Sequence, residues 1–264
     1  MGVLNITSDS FFDGGQFLDV KQAVHHAEKM VEQGADILDI GASSSRPGST
    51  PVPEDLELER IREVVTAVRQ SLRGTLISVD TFRASVAREA VSCGAHLIND
   101  ISAGDDDHNM IPVVGELGTP YIAMHKKGKT ESMQKNPQYT DVVGEVMHYF
   151  EQKLIAFRTA GIQDVMLDPG FGFGKTLEHN YQLMRAIPAL LEVLGCPLLV
   201  GISRKSLITR LLDVNPGEAL NGTTALNTIA LLNGASVIRV HDVSEAVQVR
   251  AIVAAVQSPS TLSN

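Results

Sequence analysis

The strongest constraint on the fold is a unit that recurs along the chain. It consists of an amphipathic helix, a glycine, a short run of β-branched and aliphatic residues, and then a polar residue. Gly34-Ala35-Asp36 precedes Ile37-Leu38-Asp39-Ile40, and Gly94-Ala95-His96 precedes Leu97-Ile98-Asn99-Asp100. Gly161-Ile162 leads into Val165-Met166-Leu167-Asp168, and Gly234-Ala235-Ser236 into Val237-Ile238-Arg239-Val240. A glycine just past a helix supplies a left-handed cap, and the run after it is too short for anything but a strand. Val3 to Ile6, Leu76 to Val79, Tyr121 to Met124 and Leu198 to Ile202 complete a set of eight strands, so 264 residues allow about 33 per unit. Between the strands, apolar residues fall at helical spacing. Val20, Ala23, Val24, Ala27, Met30 and Val31 share one stripe, and Val142, Val143, Val146, Phe150, Leu154 and Phe157 share another.

Alternation of strand and helix over the whole chain implies a parallel sheet. Eight units without a linker or a break in composition favour closure into a single (β/α)8 barrel, an α/β TIM-barrel domain over residues 1–264. An open dinucleotide-binding sheet requires a glycine fingerprint after the first strand, and Asn5-Ile6-Thr7-Ser8-Asp9 has none. A strand begins at the first residue, so two expectations stand: the domain starts abruptly, or upstream residues, an amino-terminal extension, have been removed.

Composition narrows the partners. The net charge of −9 argues against a nucleic-acid surface or an anionic membrane, so an anionic ligand must meet a local cluster of bases. No apolar run approaches the ~18 residues of a membrane span. Cys93 and Cys196 lack CxxC spacing and read as reduced thiols of a cytoplasmic protein.

In such barrels the site is built at the carboxyl ends of the strands, and here those ends are polar. Asp80, Asn99, Asp168 and Lys205 supply donors and acceptors that suit a flat heterocycle with amino and keto edges. Asn5, Arg46, Arg239 and His241 form a second group suited to phosphate oxygens, and Lys205 and Ser206 open the helix after the seventh strand. Asp100 and Asp242 each precede a helix and read as caps. Asp168-Pro169-Gly170-Phe171-Gly172-Phe173-Gly174-Lys175-Thr176 ends like a P-loop, but proline stands where its first glycine belongs. Its glycines are expected to turn the backbone beneath a ligand, with Phe173 as a wall. The histidines lack zinc-ligand spacing. Ser203 and His241 could be forced into a dyad, but nothing in the sequence orients the histidine. A diphosphate beside Asn5 suits magnesium, which keeps waters and leans on substrate oxygens.

These blocks carry a resemblance. Gly2 through Gly15, Gly41 through Gly48, Ser78-Val79-Asp80-Thr81, Ile98-Asn99-Asp100-Ile101, Asp168 through Lys175, Ser203-Arg204-Lys205-Ser206 and Arg239-Val240-His241-Asp242 are similar, in this order, to the signatures of dihydropteroate synthases, a pterin-binding family. The resemblance implies condensation of 6-hydroxymethyl-7,8-dihydropterin diphosphate with p-aminobenzoate, with Mg2+ as cofactor and a homodimer packed through late helices. It implies that Asp80, Asn99, Asp168 and Lys205 hold the pterin, with Met124 and Phe173 packed near it. Asn5 would bind magnesium and diphosphate, and Arg46, Arg239 and His241 the same phosphates. Phe11 and Asp13 would belong to one mobile loop, and Ser45, Arg46 and Pro47 to a second. Phe11, Ser45, Arg46, Pro47, Lys205 and Ser206 would face p-aminobenzoate. Asp80, Asp168, Lys205 and Asp13 would be the catalytic residues. Ser8, Phe12 and Ser45 depart from the usual pattern, which bears on loop dynamics and drug response rather than on the reaction. A methyltetrahydrofolate–corrinoid methyltransferase and a non-catalytic pterin-binding paralogue are the alternatives.

Overall fold

The computed structural model describes residues 1–6, 16–43, 52–128, 133 and 137–258. The strands are β1 (Gly2–Asn5), β2 (Ile37–Gly41), β3 (Leu76–Asp80), β4 (Leu97–Asp100), β5 (Tyr121–Met124), β6 (Val165–Asp168), β7 (Leu199–Val200) and β8 (Val237–Ile238). Helices fill the connections: α1 (Gln16–Glu32), α2 (Glu54–Ser71), α3 (Ala84–Ser92), α4 (Met110–Leu117) and α5 (Val142–Thr159). After β6 come α6 (Leu177–Arg185) and α7 (Ile187–Leu194), then α8 (Ser206–Leu212), α9 (Leu220–Leu232) and α10 (Val243–Gln257). The four glycines of the repeated unit, at 34, 94, 161 and 234, all have positive φ, between +84° and +102°.

β1 to β6 pair in sequence order as one parallel sheet, and β7 pairs with β8. Single parallel bridges, Leu167 with Leu198 and Gly2 with Val240, join the two sheets at both seams. Val3 N–H donates to Val240 O at 3.0 Å across the second seam. The eight strands therefore run round a ring.

Side-chain alternation sorts the strand residues into two cores. Leu4, Leu38, Ile40, Ile77, Val79 and Ile98 belong to the large cluster shared with the helices, where Ala23, Ala27 and Met30 of α1 and Phe150 and Phe157 of α5 are buried. Residues of the opposite parity fill the barrel. Met1, Leu97, Ile122 and Leu199 pack together at its amino end, with Ile37, Met166 and Val237 against them. Two and four residues further along the same strands, this parity delivers Asn5, Asp39, Asp80, Asn99, Asp168 and Arg239 to the other end. A single periodicity thus makes an apolar floor and a polar mouth.

Two expected caps have other partners. Asp100 caps no helix. It accepts from the Ser102 and Gly104 amides and the Ser102 hydroxyl, each at 2.7 Å, and from the Tyr121 hydroxyl at 2.6 Å. Asp242 precedes α10 without capping it, and instead takes Arg204 through two nitrogens at 2.9 and 2.6 Å. A bidentate charge-assisted pair outcompetes a single amide contact. None of the described helices is long and apolar enough to cross a membrane.

Candidate active site

Six of the residues expected at the strand ends converge on the mouth. Two glycines mark where. A Cβ placed on Gly201 would lie 3.7 Å from Lys205 Nζ and 3.8 Å from both Asp168 Oδ2 and Arg239 Cβ. One on Gly41 would lie 3.8 Å from both Asn5 Oδ1 and Asp80 Oδ2. Arg239 joins these groups, because its Nη2 donates to Asp80 Oδ2 at 2.9 Å. Asn99 is level with Asp80 in the β3–β4 register. A side chain at 41 or 201 would occupy the space these groups surround.

Arg239 is where the arrangement differs from expectation. The sequence grouped it with phosphate-binding residues, apart from the acceptors for the ring. In the fold its Nε pairs with Asp39 Oδ2 at 2.6 Å and its Nη2 with Asp80, so it sits among the carboxylates. Asp39, which the sequence reading passed over as part of a strand, is fully buried. It also accepts from Asn99 Nδ2 at 3.1 Å. The available signal was an acidic residue in an apolar run, at the parity of Asp80 and Asp168.

Asp168 accepts from the Gly170 amide at 2.7 Å. Lys205 donates to Phe171 O at 2.9 Å, and its ammonium lies 4.5 Å from the centre of the Phe173 ring. Burial pushes Asp80 up to about 7, despite the opposing pull of Arg239, with Asp39 adding to the rise. Burial also raises Asp168, with Lys205 opposing it, and lowers Lys205 to about 8, with Asp168 opposing that. Arg239 is held above its ordinary value because Asp39 and Asp80 outweigh its burial.

One side of the mouth is apolar. Met124 and Phe173, both anticipated, form a buried cluster with Ile101 and Met133, and Phe82 packs against it. Ile101 and Phe82 follow strand ends and were not anticipated. The glycine turn behaves as expected: Gly170 has φ +72°, and a Cβ there would fall 1.8 Å from His125 O. Lys175 serves the turn rather than a nucleotide. Its Nζ donates to Gly170 O at 2.9 Å and Phe173 O at 3.1 Å, and lies 3.0 Å from His125 Nδ1.

Ser203 does touch His241, its Oγ lying 3.0 Å from Nδ1 and accepting from the His241 amide at 3.2 Å. The serine is buried and orients the imidazole, which makes it a bracket rather than an exposed nucleophile. Ser206 is exposed at the start of α8. The bases after β5 meet acids, Lys126 with Asp106 and Lys127 with Glu145. Phe11, Asp13, Ser45, Arg46 and Pro47 lie outside the described residues. Among the described residues, no group of three or more His, Cys, Asp or Glu is placed to hold a metal ion.

Comparison with known proteins agrees with this geometry. Residues 1–241 match the family described as pterin binding enzyme. Dihydropteroate synthase of Escherichia coli is 44% identical over 260 residues, covering 98% of this chain and 91% of that one. The Yersinia pestis dihydropteroate synthase, solved with a sulfonamide drug complex, superposes with a TM-score of 0.91 at 42% identity, covering 97% of this chain and 93% of that one. The Xanthomonas albilineans enzyme, solved with 4-aminobenzoic acid, gives 0.90 at 40% identity, covering 97% and 92%.

Proposed function

The chain belongs to the pterin-binding enzyme family, and from that membership we infer that its barrel mouth performs the dihydropteroate synthase reaction. The reaction condenses 6-hydroxymethyl-7,8-dihydropterin diphosphate with p-aminobenzoate and releases diphosphate. The observation that carries this reading is the convergence of Asp80, Asn99, Asp168 and Lys205 on one mouth beside Arg239. A carbon that loses diphosphate next to an electron-rich dihydropterin delocalises positive charge into the ring, and ionised Asp80 and Asp168 beside the ring stabilise it.

In this reading Asp80, Asn99, Asp168 and Lys205 hold the pterin edges, and Met124 and Phe173 flank its face. Arg239, fixed by two carboxylates, and His241, fixed by Ser203, would face the diphosphate end. Phe11, Asp13, Ser45, Arg46 and Pro47 would come from the two loops that exclude water and complete the p-aminobenzoate pocket beside Lys205 and Ser206. The aromatic amine is already nucleophilic, so no strong general base is required. Asn5 offers one neutral carboxamide oxygen near Asp80, which fits a magnesium ion that keeps its waters and takes its other ligands from diphosphate. When bound, that ion would offset charge on the leaving group.

Direct assay tests the reading: protein, pterin diphosphate, p-aminobenzoate and magnesium should release diphosphate in step with dihydropteroate. The kcat/KM for pterin diphosphate should fall as pH drops through about 7, because Asp80 takes up its proton there and ceases to balance the cation. Residual activity of Asp80→Asn should lack that limb. Cys93→Ala, at the end of α3, should turn over within about twofold of wild type, in keeping with substitutions away from a site.

Two further expectations belong to this reading. Leu211 and Leu212 on α8, Ile229 and Leu232 on α9, and Ile252 and Val256 on α10 are exposed, which supports a homodimer packed through these helices. Sedimentation should show a dimer that Ile229→Asp weakens. The free thiols of Cys93 and Cys196 support a reducing, cytoplasmic setting.

A further inference from the structure

Asp39 lies one row deeper in the barrel than Asp80 and Asn99, since it pairs in register with Ser78 while Gly41 pairs with Asp80. Its Oδ2 serves two partners at once, Arg239 Nε at 2.6 Å and Asn99 Nδ2 at 3.1 Å. Its Oδ1 is buried without a hydrogen-bond partner among the described residues. A buried carboxylate with one bare oxygen is a poor device for stability, because apolar packing of similar volume would do better. Orientation is what it supplies.

We propose that Asp39 is a positioning residue for the reaction, fixing through one oxygen both the guanidinium of Arg239 and the end of the Asn99 carboxamide that faces the substrate. The two ends of a planar amide point apart. With Nδ2 turned down to the carboxylate, Oδ1 is turned away from Asp39 towards the mouth. Asn99 then meets the pterin as an acceptor and selects a ring edge that carries an N–H donor. Arg239 is pinned at Nε by Asp39 and at Nη2 by Asp80, so its plane cannot rotate without breaking an ion pair. Preorganised groups of this kind act on developing charge without reorganising. Asp39 itself, fully buried beneath them, acts only through these two residues.

The inference rests on the mouth being a pterin site, and calorimetric binding of 6-hydroxymethyl-7,8-dihydropterin diphosphate in the presence of magnesium separates the two. Wild type, Asp39→Asn and Asp39→Ala are compared, each beside a thermal melt. Asparagine keeps one oxygen for Arg239 Nε and Asn99 Nδ2, which now share Oδ2, whereas alanine removes the acceptor. Asp39→Ala should weaken binding by about 10- to 100-fold, the scale of a lost hydrogen bond to a charged group. Asp39→Asn should bind more tightly than Asp39→Ala and within about tenfold of wild type. A merely structural aspartate would lower Tm without changing the affinity of the folded protein. If Asp39→Ala does not fold, Asp39→Asn is judged against wild type alone, and a loss beyond about tenfold overturns the proposal. Wild-type affinity in Asp39→Ala, or Asp39→Asn no better than Asp39→Ala, also overturns it. Absence of binding by wild type would instead overturn the pterin reading.

Discussion

Asp168→Asn is expected to lower kcat/KM for the pterin diphosphate by about 100- to 1000-fold, the scale of losing one preorganised electrostatic contact, while the protein stays folded. Asparagine keeps an oxygen for the Gly170 amide, now 2.7 Å from Oδ1, so the turn after β6 retains its anchor. Two charge effects are lost together. The pterin loses a carboxylate partner, and Lys205 loses the group that most opposes the effect of burial on its ammonium. Its affinity for a proton therefore falls from the present value of about 8, so the ammonium is weakened as the anion is lost. Steady-state kinetics beside a thermal melt provide the check. Wild-type turnover, or a loss of activity matched by unfolding, would remove Asp168 from the pterin site.

Lys175→Met should have the largest effect on stability, a loss of about 3–5 kcal/mol, given about 1–3 for each buried acceptor left unpaired. The ammonium is buried and donates to the carbonyls of Gly170, Phe173 and His125, at 2.9, 3.1 and 3.3 Å. Methionine fills much of the volume and leaves the Phe173 and His125 carbonyls without this donor, while Gly170 O keeps only the Phe173 amide at 3.1 Å. Near 2–4 °C per kcal/mol for a chain approaching this size, Tm should fall by about 10 °C. The pterin wall should loosen with it, because Phe171 O, which holds Lys205, and Phe173, which flanks the mouth, both lie in this turn. A melting curve and the KM for pterin diphosphate measure the two consequences. An unchanged Tm would mean that the turn holds without its lysine.

Much of this molecule is written locally. The glycine-terminated helices and the short aliphatic runs after them mark strand and helix, and the count of eight follows. The polar residues at the run ends mark the mouth: Asn5, Asp80 and Asp168 end their strands, Asn99 is the last but one of β4, and Lys205 opens α8 after β7. The glycine turn could be distinguished from a P-loop because a single proline stands in the wrong place. Lys175 was less legible. Its chemistry resembles that of a phosphate-binding lysine until the carbonyls of its own turn are seen to surround it.

The sequence by itself determined periodicity, and with it the two cores, the floor and the mouth, because alternation along a strand needs only near neighbours. Only the tertiary structure decided who pairs with whom across the barrel. Arg239 and Asp39 are 200 positions apart. They meet because β1, bridged on one side to Val240 and paired on the other with β2, closes the ring between them. That closure gave Arg239, expected beside phosphate, two carboxylate partners that its sequence position did not reveal, and made a strand aspartate its anchor.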